Sequence, residues 1–120
     1  MARPGDDRDR LRQIFRDALI AVGGTTSVRL GLKQRSLDGP VTLIAVGKAA
    51  QAMSQGAFEV LGERISGGLI VTKPGHLHPG PLQERGLEAV VGGHPLPTEG
   101  SLQAGRRLIE LLQGGTGGSL

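Results

Sequence analysis

Between residues 6 and 22 the apolar positions Leu11, Ile14, Phe15, Ala18, Leu19 and Val22 recur at spacings of three and four, the period of a helix with one apolar face. The spacing predicts an amphipathic helix with a buried stripe, capped by Asp6 or Asp7 and ended by the GGTT of residues 23–26. SVRLGL then allows a short helical turn ahead of the polar loop KQRSLDGP. A different pattern starts at Val41, where VTLIAV is β-branched and almost continuously apolar, as a strand buried on both faces of a parallel sheet would be. Residues 48–61 return to helical spacing, with Ala49, Ala52, Met53, Phe58 and Leu61 on one stripe and Gly62 as the stop. A second apolar run, GGLIVT at 67–72, and a third, LEAVVGG at 87–93, flank KPGHLHPGP at 73–81, whose Pro, Gly and His content reads as loop. A last helix is predicted over 99–112, with Leu102, Ile109, Leu111 and Leu112 inward and Arg106 and Arg107 outward.

Helix, strand, helix, strand is the order of a βαβ unit, so the fold class is α/β. The expected architecture is a Rossmann-like three-layer sandwich with a mainly parallel sheet, occupying residues 10–112 between disordered tails at 1–9 and 113–120. Three strands are few for a doubly wound domain, and the last predicted helix has no strand to return to; the expectation is a fragment of a longer protein.

Composition narrows the classes of function. Apolar residues make up 38% of the 120, glycine supplies 21, and Cys, Trp and Tyr are absent. The core is therefore aliphatic, and neither a disulfide framework nor a cysteine zinc site can form. Fourteen Lys and Arg against eleven Asp and Glu leave a net charge of +3. The arginines are scattered, and Asp6, Asp7, Asp9 and Asp17 sit among those of the N-terminal segment, which argues against a nucleic-acid surface. No apolar stretch approaches the roughly 18–20 residues of a membrane span, and no secretory or transit signal is present, so the expected setting is the cytoplasm.

Chemistry concentrates after the predicted strands. Gly47-Lys48 follows the first, but Thr42 stands where a Walker A loop has its first Gly, and Ala49 where it has Ser or Thr; this is not a P-loop. Backbone N–H groups at a strand-to-helix junction attract anions, and a Lys in the first helical turn opposes the dipole there, a hint of function. The same residue reads equally as a solvated Lys at a strand end. Lys73, His76 and His78 follow the second strand and His94 the third, with spacing that matches no usual metal-ligand set; they read as loop residues bonding backbone or substrate. HPLPTEG turns into the last helix with Thr98 as its cap. In a parallel sheet the three loops meet on one edge, which presents Lys48, Lys73, His76 and His94. No GxGxxG follows the first strand, and no GxSxG is present.

Taken together, LRQIFRDALIAV, VTLIAVGKAAQAM, GGLIVTKPGH and GGHPLPTEGSLQAGRRLIELL resemble the N-terminal part of the glycerate kinase type II family, whose members carry a C-terminal MOFRL domain. The resemblance covers about residues 10–112. It implies an ATP-dependent, magnesium-requiring phosphorylation of the 2-hydroxyl of D-glycerate in a cleft between the two domains. It also implies Lys48 as the active-site lysine of the VGKA motif, with Gly47, Lys73, His76 and His94 on the substrate side of the cleft. Where Thr98 stands the family has Asp, and GGTGGSL only echoes the family's Gly-rich loop.

The 120-residue chain alone is expected not to turn over, since half of that cleft, with the acidic residues for magnesium, lies outside it. Two other readings are an oxidoreductase, because relatives carry the label hydroxypyruvate reductase, and a non-catalytic module binding phosphate or an acidic metabolite. A homodimer is left open, and the MOFRL domain is the expected partner in cis.

Overall fold

The computed structural model describes residues 3–78 and 80–114. Three parallel strands, β1 (Val41–Val46), β2 (Ile65–Thr72) and β3 (Leu87–Val91), form one sheet in the order β1-β2-β3. Helix α1 spans Pro4–Ala21, α2 Gly24–Lys33, α3 Ala50–Leu61, α4 Gly80–Gln83 and α5 Glu99–Gly114, and a 3₁₀ turn at Gly62–Arg64 joins α3 to β2. The α/β class with a parallel sheet is as the sequence predicts. Among the described residues, no helix is long and apolar enough to cross a membrane.

The layers follow from alternation along β2. Ile70 packs with Ala50, Ala57, Phe58 and Leu61 of α3, while its neighbour Val71 lines a cavity against Ala104 and Leu108 of α5. Helices α3 and α5 therefore cover opposite faces. Leu69 and Ile70 have no exposed surface. Burial on both faces, expected of β1, belongs instead to the central strand β2: β1 is an edge strand, and Val46 is 66% exposed.

Several helical readings are corrected. Helix α1 starts at Pro4, inside the expected tail 1–9, with the Asp6 carboxylate accepting the Arg3 amide at 3.3 Å. Proline suits a first turn, where an N–H has no helical partner. The stripe of α1 is not buried: Leu11, Ile14, Phe15 and Leu19 are all exposed, because α1 projects from the body and packs only lightly, its main contact being with α2. The GGTT segment does not merely end α1 but opens the ten-residue α2. Here tertiary packing overrides weak local propensity. A Cβ on Gly56 would come 2.3 Å from the Thr25 carbonyl oxygen, so only glycine lets α2 and α3 touch at this point. The Thr25 hydroxyl donates to the Ala52 carbonyl at 2.8 Å, and Arg29 pairs with Glu59 at 3.1 Å. Residues 113 and 114, expected in the C-terminal tail, are the end of α5, and residues 115–120 lie outside the described ones.

In α5 the buried residue is Ala104, and Leu102, Ile109 and Leu112, expected inward, are exposed. Arg107, expected outward, folds against the sheet, donating from Nε to Glu88 Oε2 at 2.6 Å and from Nη1 to Glu110 Oε2 at 2.9 Å. The hydrogen bond from the Arg107 guanidinium holds the Glu88 carboxyl below its ordinary value of 4.5, with burial opposing it. A depressed carboxylate contributes stability above its unfolded pKa and loses it as pH falls through the folded one. Glu88→Gln should therefore lower the thermal midpoint by a few degrees at most at pH 7, the pair being half exposed. Melting curves across an acid series should show that difference shrinking as the pH drops below 4.5.

Candidate functional site

At the carboxyl end of β1 the chain leaves the sheet at Gly47, whose φ of 125° is open to glycine and strained for other residues. Its amide donates to the Val71 carbonyl at 2.9 Å, and its own carbonyl accepts the Ala50 amide at 3.2 Å. Lys48 thus sits in a tight turn ahead of α3, whose N-cap is Ala49 and has no side-chain cap. It lies before the helix and not, as expected, in its first turn, so its backbone position costs the helix nothing while its exposed side chain is free to swing.

The loops after β1 and β2 are pinned together. The Gln51 side-chain amide donates to the His78 carbonyl at 3.0 Å and accepts the His78 amide at 2.7 Å. His76 Nδ1 lies 3.3 Å from the Lys48 carbonyl oxygen, where the Nδ1-protonated tautomer donates. These contacts set the KPGHLH loop on the first turn of α3. Gln51→Ala removes two of them at once, and hydrogen exchange should show the His78 amide losing protection by tenfold or more while the β2 amides are unaffected.

The third loop is built by backbone donors. The Gly92 amide continues the parallel ladder to the Thr72 carbonyl at 2.8 Å. The amides of Gly93 and Thr98 both donate to Ser101 Oγ, at 2.9 and 3.0 Å, folding GGHPLPT back on the first turn of α5. Thr98 stands just ahead of α5 as expected, its carbonyl accepting from Ser101 and Leu102. The His94–Pro95 peptide is cis.

Between these loops and α5 lies a cavity of about 540 Å³. Gly47 and Lys48 reach it from β1, Thr72 and Lys73 from β2, Gly93 and His94 from β3, and Ser101, Ala104 and Leu108 from α5. Of the residues expected on this edge, Gly47, Lys48, Lys73 and His94 are brought together. His76 is not among the lining residues; it touches the Lys48 backbone from outside, and His78 is held by Gln51. Sequence reasoning missed Thr72 and Ser101. The Thr72 hydroxyl is buried without a hydrogen-bond partner. The one available signal for it was a polar residue ending an otherwise apolar run, and for Ser101 a hydroxyl in the first turn after HPLPTEG.

An unpaired buried hydroxyl costs roughly 1–3 kcal/mol. Thr72→Val, nearly the same shape, should hold or raise the thermal midpoint; a fall of several degrees in calorimetry would mean the hydroxyl has a partner after all.

Among the described residues no carboxylate lines the cavity, and no three His, Cys, Asp or Glu side chains gather to hold a metal ion. The described residues therefore do not fit magnesium. What they fit is an anion, drawn by the Lys48 and Lys73 ammonium groups and met by the Ser101 hydroxyl.

The basic loops after the three parallel strands gather around a cavity at the carboxyl ends of the sheet, the place where open α/β sheets generally bind their ligands. The family of the chain is known by sequence: residues 10–120 match the model of the domain of unknown function DUF4147, and the chain belongs to that family. It is 40% identical over 100 residues to a D-glycerate 2-kinase of Thermotoga maritima, a match covering 83% of this chain and 23% of that protein. A putative hydroxypyruvate reductase of Agrobacterium vitis is 28% identical over 107 residues, 89% of this chain and 23% of its own. The crystal structure of a glycerate kinase from Thermotoga maritima superposes with a TM-score of 0.74 at 35% identity, over 90% of this chain and 25% of that one. The chain thus spans about a quarter of the length of these relatives.

Proposed function

We propose that this chain forms one wall of the active-site cleft of a glycerate 2-kinase, which transfers the γ-phosphoryl group of ATP to the 2-hydroxyl of D-glycerate. The observation that supports this most is the convergence of Lys48, Lys73 and His94, from the loops after three successive strands, on a cavity free of carboxylates among the described residues. The kinship with a D-glycerate 2-kinase supplies the substrate. Phosphoryl transfer asks little covalent chemistry of the protein and much positioning and charge neutralisation. In this reading Lys48 is the catalytic lysine, and its ammonium meets the negative charge of glycerate or of the transferring phosphoryl group. Gly47 lets the chain turn so that Lys48 faces the cavity, and Lys73 and His94 border the substrate. His76 supports Lys48 through its carbonyl, a positioning role. A C-terminal MOFRL domain closes the cleft, and the reaction takes place in the cytoplasm. Magnesium accompanies ATP, and no step is assigned to it, since the described residues hold no set of carboxylates for it.

The test is a coupled assay on the full-length gene product with D-glycerate and ATP, the product identified as 2-phosphoglycerate by phosphorus NMR. The relative named as a hydroxypyruvate reductase supplies the second arm, hydroxypyruvate with NADH. ATP-dependent formation of 2-phosphoglycerate supports the kinase. Reduction of hydroxypyruvate without any phosphorylation of glycerate overturns it.

A further inference from the structure

A serine hydroxyl has one proton to donate and two lone pairs with which to accept. At Ser101 both lone pairs are taken, by the Gly93 amide at 2.9 Å and the Thr98 amide at 3.0 Å. Only the proton is left, and no acceptor for it is found among the described residues. Ser54 shows the contrast: its proton goes to the Ala50 carbonyl at 2.7 Å, the usual outlet for a serine inside a helix. Ser101 is therefore an obligate donor, and it stands on the wall of the cavity that Lys48 and Lys73 border and that, among the described residues, no carboxylate enters.

We propose that Ser101 is an oxyanion-binding residue of this site, donating its hydroxyl proton to a carboxylate or phosphoryl oxygen that Lys48 and Lys73 draw into the cavity. The proposal rests on the reading of the cavity as the substrate side of a kinase cleft. The two amides fix Oγ before any ligand arrives, so the donor needs no reorganisation when an oxyanion binds. They also explain a serine in preference to a lysine here: a neutral donor locates one oxygen, whereas the mobile ammonium groups supply charge without a fixed direction.

Three substitutions separate binding from folding. Ser101→Asp keeps acceptors for both amides and suits the first turn of a helix, but it has no proton to give and repels an anion. Ser101→Ala removes acceptor and donor together, and Ser101→Thr keeps both. In the full-length gene product Ser101→Asp should raise KM about tenfold or more. Its thermal midpoint should stay within about 3 °C of the parent. Ser101→Thr should restore KM. A rise confined to D-glycerate identifies the carboxylate as the bound group, and one confined to ATP identifies a phosphoryl group. Unchanged KM values for both substrates in Ser101→Asp and Ser101→Ala overturn the proposal. Should the parent protein not phosphorylate glycerate, the kinase reading falls, and calorimetric titration with inorganic phosphate decides the role of Ser101 separately. Affinity lost in Ser101→Asp and kept in Ser101→Thr supports the role; equal or absent affinity in parent and variants overturns it.

Discussion

Lys48→Met in the full-length gene product is expected to cut kcat/KM for ATP-dependent phosphorylation of D-glycerate by about 10²–10³-fold, the usual loss when one preorganised group facing transition-state charge is removed. The thermal midpoint should hardly move, because the Lys48 side chain is exposed and the turn is fixed by the backbone bonds of Gly47. Most of the loss should fall on kcat, since an ammonium that serves only to gather the substrate would raise KM instead. Lys48→Arg should recover little: a planar guanidinium on a longer stem places its charge differently from a compact ammonium. Steady-state kinetics on the three proteins checks this, and a drop of less than fivefold in Lys48→Met would return Lys48 to the status of a solvated residue at a strand end.

Gly68→Ala is expected to have the largest effect on folding. A Cβ at this position would lie 1.8 Å from the Leu43 carbonyl oxygen and 2.7 Å from its carbonyl carbon. The obstacle is the backbone of the adjacent strand, which cannot rotate away as a side chain can. Leu43 and Gly68 are partners in the parallel register, just beyond the irregularity where Val41 pairs with Ile65 and Thr42 already with Gly67. Relieving the clash means prising β1 from β2 at the point where Leu43 and Ala45 pack against the core of Ile70 and Phe58. The cost is that of overpacking plus lost ladder bonds, on the order of 4 kcal/mol or more, enough to unfold many domains of this size. Circular dichroism should find Gly68→Ala largely unfolded or melting at least about 15 °C lower, whereas Gly67→Ala, whose nearest neighbour is 4.0 Å away, should show a clearly smaller loss.

The sequence made the sheet legible because a parallel strand leaves a simple trace. VTLIAV, GGLIVT and LEAVV are unbroken apolar runs, and the helical spacing between the first two makes their connection a crossover. It could not say which strand lies in the centre, since that depends on neighbours and not on composition; β1 reads as more apolar than its edge position needs. The sequence showed α2 only as a short turn at SVRLGL; its start and full length were hidden because GGTT has poor helix propensity, and only the α3 surface around Gly56 explains why glycine belongs there. Gly47, Lys48, Lys73 and His94 could be placed on one edge from topology alone. Ser101 and Thr72 could not, because their significance lies in which hydrogen bonds they make or lack, and those exist only in three dimensions. The same holds for Arg107, whose partner Glu88 is nineteen residues away.

Helix α1 has a practical consequence. Its exposed apolar side chains Leu11, Ile14, Phe15, Leu19 and Ile20 stand out at one end of a structure 65 Å long. Taken by itself, the chain is an amphiphile with its greasy pole on a lever. Its sedimentation and elution will depend on how much is loaded, mild detergent will sharpen its peaks, and a melting temperature read at a single concentration will mix unfolding with self-association.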